Sequence, residues 1–188
     1  MVLMKISETE AGFLAGVIEG EGSIFLMKKK CSRSRLGYNY TPCISISNTD
    51  PRLLTRCKSI IDKIKSEEKY RTIIRSQNGG KLNTPERKLR KNWDGRWKIG
   101  WVLRMHDFGT IVSVLNETSG LFVTKKRQAG LLMEYCKSRM LKLFIFRRNM
   151  YSEREHAIYK NLRRLNRRGL KTQEAKDTVL MGIVGETA

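Results

Sequence analysis

Apolar positions recur with a helical period at the start of the chain and change to a period of two after Gly22. Ser7 with Glu10 three residues on forms a capping box, the signature of a helix N-terminus. The predicted helix runs to Glu19-Gly20-Glu21-Gly22, with Glu21 just beyond its last carbonyls. Ser23–Lys30 alternates Ile24 and Leu26 against Phe25, Met27 and Lys29, and Tyr38–Ser47 alternates Ile44 and Ile46 against Thr41, Cys43 and Ser45. The two runs predict a β-hairpin with one apolar and one polar face. Asp50-Pro51 opens an amphipathic helix to Lys65, with Asp50 as N-cap. Strands follow at Lys69–Gln77 and Arg96–Met105, separated by a polar loop rich in Lys and Arg. Asp107–Leu115 predicts a short helix and Glu117–Gly120 a turn; a helix capped by Thr124 then runs from Lys125 to about Lys142. Ser152 and Glu155 form a second capping box that opens a basic helix to about Asn166, and Thr172–Met181 predicts a last short one. The reading is one α+β domain over residues 1–188, with a core at about 5–147 and basic C-terminal helices at about 152–182. Its element order is α-β-β-α-β-β-α-α, with a four-stranded antiparallel sheet covered by helices on one face.

The first helix carries a second signal. Gly12, Gly16 and Gly20 recur every four residues and share one face, although each interior glycine costs about 1 kcal/mol relative to alanine. A close helix–helix approach compensates for that cost. The helix is too short and too charged to span a membrane, and the chain contains no internal repeat. The expected partner is therefore the same helix of a second copy, in a C2 homodimer. Gly12, Ala15, Gly16 and Glu19 would line that contact. Two abutting helix ends would also bring together two Glu21 carboxylates and two sets of free carbonyls, hard oxygen ligands suited to Mg²⁺.

Charge changes the picture most. The formal net charge is +20 and the sequence pI about 10.2, an excess that points to a polyanion, with nucleic acid the commonest. The polar sheet face would present Phe25, Met27, Lys29, Thr41, Ser45, Lys69, Arg71, Arg75 and Lys98, with Arg33 in the hairpin turn. A strand of about nine residues spans ~30 Å, the length of about nine base pairs at ~3.4 Å each. Two subunits would then read a pseudo-palindrome of roughly 18–20 base pairs, with strand side chains in the major groove and loop cations on phosphates. The four cysteines lack a CxxC pair and read as reduced thiols, not zinc ligands. With no signal peptide or transmembrane stretch read from the sequence, the expected setting is intracellular, in the cytoplasm or an organelle matrix where DNA lies, with no membrane partner.

Leu14-Ala15-Gly16-Val17-Ile18-Glu19-Gly20-Glu21-Gly22 resembles the motif of the LAGLIDADG homing endonucleases, with Glu for Asp at both acidic positions and a fitting Phe13 before it and Ser23-Ile24 after it. The resemblance implies the single-motif, homodimeric, intron-encoded type. Its αββαββα fold has a saddle-shaped sheet and cleaves both strands of a long DNA site, leaving short 3′ overhangs. It further implies Mg²⁺, with Mn²⁺ or Ca²⁺ able to occupy the same sites. Carried over by position, Glu21 matches the metal-binding acid, and Gly20 supplies a backbone carbonyl to the metal bound by the partner. Asn48 stands where the family has a Gln or Asn near the attacking water, and Arg52 follows at the matching offset. Lys125 matches a basic residue in a Lys-x-x-Gln-Ala context, here Lys125-Lys126-Arg127-Gln128-Ala129. Glu21 in place of Asp moves the carboxylate by about 1.5 Å. Two alternatives stand beside this reading: an RNA-binding maturase for the host intron, and a DNA-binding module that has lost cleavage.

Overall fold

The structure, a computed structural model, describes residues 6–32, 34, 36–64, 73–76, 100–144 and 151–166. Its elements are α1 (Glu8–Glu21), β1 (Gly22–Lys30), β2 (Tyr38–Asn48), α2 (Pro51–Ile64), β3 (Ile73–Ser76), β4 (Trp101–Met105), α3 (Phe108–Thr118), a 3₁₀ turn (Ser119–Leu121), α4 (Lys126–Phe144) and α5 (Glu153–Leu165). The residues predicted at 65–72, 77–99 and 172–181 lie outside the described residues.

Local chemistry sets most of these boundaries. Ser7 and Glu10 close both arms of their capping box at α1, and Ser152 with Glu155 does the same at α5. Asp50 accepts from the Arg52 N–H at 2.8 Å and so caps α2, while Asp107 accepts from Gly109 and Thr110 and caps α3. Three boundaries differ from the sequence reading. First, α1 runs through Glu21, so that residue is the last of the helix and not the first beyond it. The Gly22 N–H closes the helix on the Ile18 carbonyl; a Cβ there would stand 2.5 Å from that oxygen, a distance only glycine allows. Second, α3 continues to Thr118, because the Thr118 hydroxyl donates to the Val114 carbonyl at 2.8 Å and adds a turn. Third, α4 starts at Lys126, with Lys125 rather than Thr124 in the capping position, since Ala129 N–H bonds to the Lys125 carbonyl.

The sheet is antiparallel throughout, in the order β1-β2-β4-β3. The β1–β2 turn needs the left-handed backbone that Gly37 supplies at φ 70°. Ile24, Leu26, Ile44, Ile46, Leu103 and Met105 point to one face, where α1, α2, α3 and α4 bury them with Leu14, Ile18, Leu54, Ile60, Ile111 and Leu132. The Gly22↔Ile46 register brings the end of α1 and the end of β2 to the same end of the sheet.

Helix α5 is tied down at several points along the hairpin by chemistry that local pattern does not reveal. Tyr151 and Tyr159 pack on Tyr40 at 5.0 and 4.6 Å between ring centres, and the Tyr40 N–H donates to the Tyr151 hydroxyl. Asn166 donates its side-chain amide to the Ile24 carbonyl of β1 at 2.8 Å. Beneath this cluster Glu155, 1% exposed, accepts from Lys142 at 2.5 Å and stands 3.7 Å from Arg139. Among the described residues no helix is long and apolar enough to cross a membrane.

Candidate active site

Two helix ends meet at the head of the sheet, and each supplies what the other lacks. The last carbonyls of a helix lack donors and carry the negative end of its dipole; the first N–H groups of another lack acceptors and carry the positive end. Lys125, at the start of α4, sends its Nζ into the end of α1, donating to the carbonyls of Ile18 (2.9 Å), Glu19 (2.5 Å) and Gly22 (2.7 Å). Glu19 reaches the other way. Its Oε1 accepts from the Thr124 N–H at 2.7 Å, from the Lys125 N–H at 3.1 Å and from the Thr124 hydroxyl. Burial pulls the Lys125 amine below its ordinary value, opposed by the carboxylates of Glu19 and Glu21. Burial alone would raise the Glu19 carboxyl, but the bonds from Thr124 and Lys125 outweigh it and leave the group lowered.

Glu21 stands exposed at this junction, with no hydrogen-bonding partner among the described residues. The donors gathered here, one carboxylate and main-chain carbonyls such as that of Gly20, are hard oxygens at the negative end of a helix, and in kind they fit Mg²⁺ or Ca²⁺. In number they fall short within one chain: among the described residues no group of three acidic, His or Cys side chains could hold a metal.

Asn48 lies two residues past the Ile46 partner of Gly22, at this same end of the sheet. Its Oδ1 accepts from the Asp50 N–H at 2.8 Å, a turn bond that leaves its amide N–H groups to offer. Arg52 is held by a neighbouring acid. Asp50 takes its guanidinium through bonds of 2.8, 3.1 and 3.2 Å, the side chain is 90% exposed, and among the described residues it reaches neither Glu21 nor Lys125.

The dimer-contact residues divide. Gly12 and Gly16 lie on the exposed face of α1, as does Gly20, and nothing stands within 4 Å of a Cβ built on any of them. Ala15, by contrast, is buried in its own chain's core, because it sits on the face that α1 turns to the sheet. Glu19 is committed to α4. Neither is available to a second helix.

The face of the sheet away from the helices is less polar than its sequence suggested. Phe25 and Met27 are half-buried, Thr41 faces Met27 across the hairpin, and Lys29 is exposed. Cys43 is fully buried and Ser45 nearly so, because Phe25 pairs with the one and Ser23 and Arg104 flank the other. Burial pushes the Cys43 thiol up to about 12, against the opposing charges of Arg104 and Lys29, so it is unreactive. Ser45 therefore offers little surface for direct contact. Arg104 joins this face as an exposed cation; the signal for it was its place as the one polar residue of Trp101–Met105. Position 75 pairs with Val102, whereas Arg33, Lys69, Arg71 and Lys98 lie outside the described residues. Sequence reasoning missed Thr124 as a partner of Glu19, since nothing local links residues so far apart.

No protein-family model matches the chain, and no curated protein matches it in sequence. Solved structures match it in fold. The homing endonuclease I-CvuI, in complex with its target in the presence of 2 mM Ca, aligns with a TM-score of 0.59 at 13% identity over 90% of each chain. The archaeal intron-encoded homing endonuclease I-Vdi141I, complexed with DNA, aligns at 0.58 and 18% identity over 90% of this chain and 92% of its own. The I-SmaMI LAGLIDADG homing endonuclease, bound to cleaved DNA, aligns at 0.53 and 15% identity over 91% of this chain but 48% of its own. This chain thus spans most of the I-CvuI chain and about half of the I-SmaMI chain.

Proposed function

From a chain with the fold of the LAGLIDADG homing endonucleases, we propose a site-specific DNA endonuclease that breaks both strands of a long pseudo-palindromic target and leaves short 3′ overhangs. The observation that carries this reading is the Lys125 ammonium seated in the end of the motif helix, with an uncommitted Glu21 carboxylate at the same junction. Glu21 and the Gly20 carbonyl would hold a divalent cation, Mg²⁺ in the first instance, with oxygens of the scissile phosphate and the second subunit's Glu21 completing the shell. Such an ion, when bound, supplies a hydroxide at neutral pH and stabilises the leaving oxygen. The chain's own residues do the rest. Lys125 offsets negative charge that develops on the phosphate. Asn48 orients a water through its amide without titrating. Arg52, exposed and released from Asp50 by competition, contacts the DNA backbone. Lys29, Arg104, Phe25, Met27 and Thr41 face the duplex, with the net charge of +20 drawing it in.

Assembly follows from the open glycine stripe. Phe13, 37% exposed, flanks it, and Leu121 and Val123, 53% and 84% exposed, lie on the segment leading to Thr124, which Glu19 holds. Apolar surface of this kind beside a stripe without side chains suits a second copy packed on a two-fold axis. A Gly16→Leu chain is expected to fold and to run as a monomer in sedimentation, with double-strand cleavage lost; a dimer of unchanged affinity would show that the contact lies elsewhere.

The direct test is a cleavage selection with purified protein, Mg²⁺ and duplexes built around a randomised palindrome. Double-strand cuts at one long, near-palindromic site are the expected result. Tight duplex binding without any cut would overturn the endonuclease reading in favour of a binding module, and RNA-specific binding would favour a maturase.

A further inference from the structure

The junction of α1 and α4 contains one acidic group that the proposed chemistry leaves without a task. We propose that Glu19 is a positioning residue: by capping α4 from the last turn of α1, it fixes the place from which the Lys125 ammonium acts. The proposal rests on the reading of Lys125 given above.

The geometry is reciprocal. An ammonium has three N–H donors, and Lys125 commits all three to main-chain carbonyls of residues 18, 19 and 22. Those carbonyls are rigid, since Gly22 N–H itself closes on the Ile18 oxygen. The root of the Lys125 side chain, however, lies in the capping position of an incoming helix, reached through a short segment in which Phe122 is buried and Val123 exposed. Nothing in the lysine's own carbonyl contacts fixes the register of that segment. Glu19 does, through the N–H groups of Thr124 and Lys125 and the Thr124 hydroxyl, all on one oxygen. Its other oxygen, Oε2, is buried and has no hydrogen-bond partner among the described residues, so the carboxylate's side-chain bonds there all go to Thr124 and Lys125. A carboxylate aimed at a helix start and an ammonium aimed at a helix end each oppose a dipole. Together they bolt the two ends at two points, and two points fix an orientation where one would allow a pivot. The cost of losing that orientation falls on the reaction more than on binding, because misplacement of about 1 Å can lower a rate by about 10²-fold.

The test uses the full chain labelled with ¹⁵N at the lysine ε position. Wild type is expected to show one slowly exchanging ammonium resonance, assigned to Lys125 by its loss in Lys125→Arg. Glu19→Ala should lose that resonance to fast exchange. It should also cut target duplex about 10²-fold more slowly in single turnovers while binding it with unchanged Kd. Glu19→Gln, whose amide oxygen can accept the same bonds, should restore both. Thr124→Val, which removes one of the three donors, serves where Glu19→Ala does not fold and should broaden the resonance. An unchanged Lys125 resonance in Glu19→Ala, or in Thr124→Val where that variant stands in, overturns the proposal. So does a loss of duplex affinity equal to the loss of rate. The resonance requires no DNA, so a wild-type chain that cuts nothing would sink the endonuclease reading while the clamp is still decided by the spectrum.

Discussion

A Glu21→Gln chain is expected to bind its duplex target as tightly as wild type and to cleave it at least about 10³-fold more slowly. The substitution keeps size and shape and removes one negative charge. Duplex affinity rests on the cations of the sheet face and loops, and a single acid among 18 acidic and 38 basic residues changes that field little. Cation binding is another matter, because within one chain Glu21 is the one uncommitted carboxylate at the end of α1 among the described residues. The check is single-turnover cleavage beside equilibrium binding, both in Mg²⁺ and at one salt concentration. Equal losses in both measurements would mean that Glu21 serves the protein's shape. Unimpaired cleavage would move the acid to another residue. Glu at this position also permits a graded comparison, since Glu21→Asp shortens the reach and shows whether the longer side chain is matched to its surroundings.

Glu155→Ala is expected to cost about 3–5 kcal/mol of stability, or about 10 °C in Tm for a chain of this size. Glu155 is 1% exposed and serves three partners at once: the Ser152 end of its capping box, Lys142 at 2.5 Å and Arg139 at 3.7 Å. Arg139 is itself buried, lying over the Tyr151 ring at 4.7 Å. Truncation therefore opens a void beside Arg139 and Lys142 and removes the Glu155 carboxylate from both. The pH dependence has a definite sign. Burial works to raise the Glu155 carboxyl, but the Lys142 bond, the Ser152 N–H and the charge of Arg139 outweigh it, so the folded-state pKa lies below the ordinary 4.5. A depressed carboxylate stabilises the fold fully above its unfolded value, and that contribution fades as pH falls through the folded one. Thermal scans of wild type and Glu155→Ala should thus differ widely at pH 7 and converge in acid below pH 4.5. A gap that does not narrow in acid would show that the cost is one of packing alone.

The parts of this fold that a reader of the sequence could anticipate are those whose causes are local. Ser7 and Glu10, Asp50 and Arg52, and Ser152 and Glu155 each satisfy one another within three residues, so the helix starts they mark are written in adjacent letters. The alternation of Ile24, Leu26, Ile44 and Ile46 likewise states which side of the hairpin is buried. What escaped is what distance in the chain conceals. Thr124 has the composition of a helix cap, yet its hydroxyl turns to a carboxylate 105 residues away, and that carboxylate does the capping. Ala15 has the size of a helix-contact residue but lies on the inward side of α1. Cys43 and Val102 occupy outward positions in their strands and are nevertheless covered, since neighbours across the sheet, not residues along the strand, decide exposure there. Likeness to a family motif could single out Lys125 as a residue to watch, whereas its three carbonyl partners could not be anticipated.

The bond from Asn166 to the Ile24 carbonyl carries a consequence for handling the protein. Strand β1 is the outermost of its sheet, and an outermost strand presents a row of main-chain groups on which a foreign strand can build, the starting point of aggregation. The end of α5 occupies one of those groups and places its bulk alongside. A chain shortened before α5 would keep its glycine-striped helix and the junction at Lys125, yet it would leave this border open. Its first failure would be to precipitate, well before any question of catalysis arose.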